Sequence, residues 1–326
     1  MTIAISLVVG DGVVLGTDSA TSIILPGEKY YNIYPNAEKT INLVKGLPIG
    51  LMTYGLGSIS NLSIASLGRM LRDLLSGADP EEVDWTLDPA TYSLERVAEL
   101  VKLFFYDGLY VNQFGEPPEI SEEDVETGTE FDDAQKEVPR FPPLGFILAG
   151  FSAGMYYPEV WTVEIGIDGR CIGPVRVVSP GTVGVIRFWG QPEPLNRLVY
   201  GWSYEAVERL QAAGIPEDTI ERILLAETPL AHPGMPVQDA IDLVRYLAEV
   251  TAGYLRFKPG APVVGPPFDI AAITRHQGFR WVSRKHYYGK ELNPVDYDVA
   301  PRHPPRDGGE DAGKQSSPDA ETHGAV

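Results

Sequence analysis

The chain has 326 residues, 44% hydrophobic and 10% aromatic, which is enough apolar material for a substantial packed core and excludes global disorder. Lys and Arg number 26 against 45 Asp and Glu, a net charge of −19 that would repel a phosphate backbone, so nucleic acid is not an expected partner. One cysteine, Cys171, rules out an internal disulfide framework and fits a reducing compartment.

The first predicted element begins almost at once. Ile3, Ile5 and Leu7 alternate with Ala4 and Ser6, run into Val8-Val9, and are followed after Gly10-Asp11-Gly12 by Val13-Val14-Leu15. Two such runs around a glycine-flanked Asp predict a hairpin. Gly10, Gly12 and Gly16 imitate a dinucleotide fingerprint, but that motif needs its last glycine at a helix start, and here a strand continues. No cofactor is expected.

Strands are predicted over 3–9, 13–17, 40–44 and 49–54. Two helices follow, with Leu67, Met70, Leu71, Leu74 and Leu75 on one face of the first and Leu94, Val97, Ala98, Val101 and Phe105 on one face of the second. From Glu116 to Glu137 the chain carries ten acidic residues and one lysine, so 112–143 reads as a solvated acidic insertion loop. Strands return at 145–151, 160–165, around 172–178 and at 183–189. Helices are predicted at 195–210 and 237–250, and a closing strand pair at 268–274 and 278–282 around Arg275-His276-Gln277. From about Pro301 the chain is nearly without apolar side chains and reads as a disordered tail within an extension over 286–326.

Strands, two helices, strands, two helices, strands is the order of a layered α+β domain rather than a parallel βαβ sheet. No apolar run approaches the roughly 20 residues that span a bilayer, and the apolar start lacks the basic flank and cleavage site of a signal peptide, so a cytoplasmic location is expected. The five histidines, His232, His276, His286, His303 and His323, show no metal-ligand spacing, so no metal is expected, and no Ser/His pairing suggests itself.

Thr2 draws attention because of what surrounds it. A small second residue permits removal of Met1, which would place a hydroxyl and a free α-amine on one residue. An α-amine has a pKa of about 7.7–8.0, so it can accept the hydroxyl proton and return it without a histidine. The strand that starts immediately would hold it rigid.

The opening Thr2-Ile3 through Gly12-Val13-Val14-Leu15-Gly16-Thr17-Asp18, followed by Lys39 in EKTINLV and Gly55 in TYGLGS, resembles the proteasome β-type and HslV-like peptidases of the N-terminal nucleophile (Ntn) hydrolase superfamily. GFILAGF with the hairpin after it, and FDIAAITRHQGFRWV, resemble the family's later strands. The resemblance implies a four-layer αββα sandwich over 1–285, with two antiparallel sheets between helix layers. It implies Thr2 as nucleophile, Lys39 beside it, Asp18 holding Lys39, and the Gly55 amide stabilising an oxyanion. It further implies a peptide or unfolded-protein substrate and a homo-oligomeric ring. Taken singly, Asp18 also reads as a turn residue and Lys39 as a solvated strand end. Some of the family's pattern is missing: Ala20 stands where a basic residue is common, Gln191 where a supporting serine falls, and LRFKPGAPVVGPP carries no supporting acid or serine. A catalytically silent scaffold subunit and a non-peptide amide hydrolase therefore stay open beside the threonine hydrolase.

Overall fold

The computed structural model describes residues 2–24, 31–77, 84–118, 141–224, 229–259 and 263–285. Most of the acidic insertion and all of the extension over 286–326 lie outside the described residues.

The opening hairpin forms as its sequence predicts. β1 (Ile3–Val9) pairs antiparallel with β2 (Gly12–Thr17) from Ala4 opposite Thr17 to Val9 opposite Gly12. Both strands are buried along their whole length, so neither can alternate apolar with charged residues. Ile3, Ile5, Leu7 and Val9 face one apolar layer, while the smaller Ala4 and Val8 face another.

A short pair follows, β3 (Thr21–Ile24) with β4 (Tyr31–Tyr34), then β5 (Thr40–Asn42), β6 (Ile49–Gly55) and the two-residue strands β7 (Ser58–Ile59) and β8 (Leu62–Ser63). Helix α1 (Ile64–Leu75) starts where the Ser63 side chain accepts from the Ser66 N–H. Helix α2 (Leu94–Lys102) is capped by Ser93 in the same way. It runs on through a π-helical segment, Leu103–Tyr110, into α3 (Val111–Phe114). Three strands come next, β9 (Leu144–Gly150), β10 (Glu159–Ile165) and β11 (Cys171–Val178), followed by β12 (Val185–Gly190).

The helix predicted over 195–210 is broken. Its first part is α4 (Glu193–Leu195) with a π-helical turn, Asn196–Tyr200, and it stops at Gly201 in the left-handed region at φ 73°. Ser203 then caps a separate helix, α5 (Tyr204–Ala212), and α6 (Glu217–Leu224) follows. Helix α7 spans Val237–Phe257, longer than predicted. β13 (Asp269–Thr274) and β14 (Gly278–Ser283) close the domain as the expected strand pair.

Two five-stranded antiparallel sheets result, with strand orders β12-β1-β2-β13-β14 and β11-β10-β9-β6-β5. Three apolar layers show how they stack. Ala4, Val13 and Leu15 of the first sheet meet Met52, Ile147 and Val160 of the second. The other face of the first sheet packs through Ile5, Leu7 and Ile270 on Val244, Leu247 and Ala248 of α7. The other face of the second packs through Leu51, Phe146 and Leu148 on Leu67 and Leu71 of α1 and Val97 and Phe105 of the 94–110 helix. The architecture is the expected four-layer αββα sandwich. Among the described residues no helix is long and apolar enough to cross a membrane.

Candidate active site

Strand register brings one set of strand ends together. In the first sheet, Ile3 lies opposite Gly190, Ala4 opposite Thr17, and Thr17 opposite Asp269. In the second, Thr40 lies opposite Met52 and Gly55 opposite Leu144. A contact between Thr17 Oγ1 and Thr40 Oγ1, 2.9 Å, ties the two sets of ends across the space between the sheets. Thr2, Asp18, Lys39 and Gly55 therefore stand at one end of the sandwich, carried by four different strands.

Asp18 is the centre of this end and is fully buried. Its Oδ2 accepts from the Ala20 N–H at 2.9 Å, the turn that local chemistry predicts. Its Oδ1 accepts from the Ile3 N–H at 3.1 Å and from Lys39 Nζ at 2.8 Å. Asp18 is thus both turn residue and lysine partner. Because Ile3 N and Lys39 Nζ share one oxygen, the lysine lies within two hydrogen-bond lengths of the amide that follows Thr2. Lys39 is buried and not at a solvated strand end, and it also donates to the Ala20 carbonyl at 2.5 Å.

Burial pushes the Lys39 ammonium below the usual lysine range; the Asp18 carboxylate opposes this and the Lys285 charge adds to it. Burial likewise pushes the Asp18 carboxyl up, against the Lys39 charge and the hydrogen bonds it accepts.

Thr2 is 2% exposed. Its carbonyl packs on Gly190, where a Cβ would sit 2.0 Å from the Thr2 oxygen, and Gly190 has φ 90°. Only glycine fits there without moving Thr2. Gly55 ends β6, also at φ 90°, and a Cβ there would meet the Pro143 carbonyl at 2.2 Å. The Thr53 N–H donates to Lys39 O at 2.9 Å, so Gly55 lies two residues, about 7 Å, along the strand from the lysine backbone.

A second buried ion pair adjoins the first, and the sequence does not announce it. Asp269, fully buried at the start of β13, lies with its Oδ2 3.0 Å from Lys285 Nζ, at angles unsuited to a hydrogen bond, while its Oδ1 accepts from the Lys285 N–H at 3.1 Å. Lys285 Nζ also donates to Ser19 Oγ at 2.5 Å and to the Ala37 carbonyl, and Ser19 Oγ donates to the Pro267 carbonyl at 2.5 Å. Lys285 so links the residue after Asp18, the segment before Lys39 and the start of β13. Asp269 stands two residues beyond LRFKPGAPVVGPP. Its signal is a carboxylate opening an otherwise apolar strand.

This layering, with a threonine, an acid and a lysine at one end of paired antiparallel sheets, is the four-layer αββα class that the sequence leads one to expect. Comparison with known proteins then gives the particulars. No family model matches the chain, and no curated protein does. Solved structures that resemble it include Anbu (ancestral beta-subunit) from Yersinia bercovieri, 15% identical with a TM-score of 0.43, the match covering 88% of this chain and 89% of that one. A Gly-1 mutant of Anbu from Hyphomicrobium sp. strain MC1 is 16% identical with a TM-score of 0.45, covering 90% and 92%. A helical assembly of the Anbu complex from Pseudomonas aeruginosa is 14% identical with a TM-score of 0.42, covering 89% and 90%. These findings correct the assignment to the proteasome β-type and HslV-like peptidases: neither family models nor curated proteins support it, and the structures found carry the Anbu name. The physical reason is that the shared opening motif is short. It specifies a hairpin and an acid–lysine pair, and those features do not separate one family from another within the fold.

Proposed function

We propose that this chain is a threonine-type N-terminal nucleophile hydrolase that cleaves amide bonds, peptide bonds first among them, once the Met1–Thr2 bond has been cut. The observation that carries this is the shared Asp18 oxygen, which holds Lys39 and the backbone next to Thr2 in one buried unit.

Thr2 Oγ1 attacks the carbonyl carbon while the hydroxyl proton passes to the free α-amine. The oxyanion takes the Gly55 N–H. The resulting ammonium returns the proton to the departing amine as the C–N bond breaks, leaving an ester on Thr2. The amine then draws a proton from water, whose oxygen attacks the ester, and Thr2 is restored as the acid leaves. Among the described residues Lys39 uses two of its three N–H donors, on Asp18 and Ala20, which leaves the third for Thr2 Oγ1. Its positive charge lowers the pKa of hydroxyl and amine alike. The domain over 1–285 carries this unit and assembles with copies of itself, as a ring where the rotation closes and as a helix where it does not.

The test is a paired substitution. Thr2→Ala folds and loses hydrolysis of a fluorogenic peptide panel, Thr2→Ser keeps a measurable part, and the active chain weighs one methionine less than the full sequence. Activity with Met1 in place overturns the reading, because an amide nitrogen cannot act as the base.

A further inference from the structure

On a chain of net charge −19, one cavity is walled by cations. It has a volume of about 120 Å3 and opens where β5 and β14, the end strands of the two sheets, come together beside α1. Lys45, Arg69, Arg72 and Arg284 line it against a single carboxylate, Glu38, with Asn42 and Trp281 completing the wall.

The cations are held in place and only partly neutralised. Glu38 is shared, its Oε2 with Arg69 and its Oε1 with Arg284 at 3.2 Å, so one negative charge serves two guanidinium groups. The Arg284 guanidinium also lies over the Trp281 ring at 4.9 Å, which fixes its plane. Arg72 is fastened to a neutral group: Nε and Nη2 both donate to the Asn42 carbonyl, at 2.9 and 2.5 Å. Burial foremost, then the Arg69 charge, push its pKa down, with Arg284 adding, although Asp73 and Glu38 oppose them. Among the described residues Lys45 has no ion pair. Solvated surface cations spread apart; these four converge on one small space with a deficit of negative charge.

We infer that this cavity is a binding site for a tetrahedral oxyanion, a phosphate group, held between the guanidinium groups of Arg69, Arg72 and Arg284 with Lys45 at its mouth. Planar guanidinium groups meet phosphate oxygens with paired donors, and pre-fixed ones lose little freedom on binding. The space is large enough for one phosphoryl group with waters beside it. The group is either free phosphate or the head of a small phosphomonoester. The inference stands apart from the hydrolase reading, and its test involves no turnover.

The experiment is isothermal titration of the full chain with inorganic phosphate and, separately, glycerol 3-phosphate, at constant ionic strength to hold screening fixed. Saturable binding is expected for at least one of them; phosphate alone assigns free phosphate, and the ester alone assigns a phosphomonoester. Arg69→Gln and Arg284→Gln should each weaken it about tenfold, the loss of one charge-assisted hydrogen bond. Lys45→Gln, at an exposed position without an ion pair, weakens it by a smaller factor and serves should either arginine variant fail to fold. Arg245→Gln, on the opposite helix layer, leaves it unchanged. No saturable binding up to about 10 mM ligand, a range where only contacts of a few kcal/mol register, overturns the inference. So does the same affinity in all three pocket variants, which would mean binding elsewhere.

Discussion

Asp18 divides its carboxylate between the turn after β2, through Oδ2, and the pair Ile3 N–H and Lys39, through Oδ1. Removing one partner of a buried ion pair strands the other, at a typical cost of about 3–5 kcal/mol. Asp18→Asn and Lys39→Met should each lower the free energy of urea unfolding by about that amount. The double variant should lose well under the sum, because no buried charge is then left alone. In hydrolysis the two losses should not multiply, and Lys39→Arg should be as inactive as Lys39→Met, since the larger planar guanidinium does not fit the buried space between Asp18 and the Ala20 carbonyl. Additive unfolding losses would show that the two groups are not one unit. Cys171 gives a second check at this scale. Burial raises its thiol from the ordinary 9.0 to about 11, with Lys102 opposing and Asp107 adding. A thiol raised in the fold contributes stability that is complete below about pH 9 and is lost as pH rises through about 11. Iodoacetamide at pH 8 should therefore label the folded chain far more slowly than the urea-unfolded chain. Equal rates would place the thiol in solvent.

At the scale of elements, the end of β12 sets the position of Thr2. Gly190→Ala puts a Cβ where the Thr2 carbonyl stands and also forces alanine to φ 90°, whereas Gly46→Ala, at φ 88°, meets open space. Backbone strain of about 1–3 kcal/mol is common to both. The excess destabilisation of Gly190→Ala in thermal unfolding, together with a loss of hydrolysis that Gly46→Ala does not share, measures the contact with Thr2. Equal effects would mean that β12 does not hold the terminus. Much of this framework is legible in the sequence. The alternation of Ile3, Ile5 and Leu7 gives β1, the periodic leucines of 64–75 give α1, and the 268–282 strand pair appears almost as written. What is not legible depends on tertiary register. The break at Gly201 looks like one turn of a continuous amphipathic helix until Ser203 caps the next. The short pair β3–β4 has no distinctive alternation in sequence. Asp269 acquires its place only because β13 pairs with β2 so that it lies opposite Thr17. Lys39 itself is an ordinary lysine by every local criterion, and only the resemblance singled it out.

For the whole molecule, β11 ends its sheet with Ile172 64% exposed and Val175 42% exposed, and Ile167 precedes it at 48%. An end strand carrying apolar side chains into water is a pairing surface unless something covers it. We take the cover to be a second copy of this chain. Light scattering at micromolar concentration should give a mass well above the 35.6 kDa of one chain, and Ile172→Glu should shift it toward that value. A single-chain mass for the unaltered protein would contradict assembly through this strand.

In the proposed mechanism Thr2 offers a hydroxyl and a free α-amine to one electrophile. An α′,β′-epoxyketone peptide needs both groups to close a ring on a terminal threonine, so intact and peptide-level mass spectrometry after incubation tests the claim most directly. One adduct per chain is expected, on Thr2, on a chain lacking Met1, and none in Thr2→Ala or Lys39→Met. A chain that stays unmodified, or an adduct on any other residue, would contradict it.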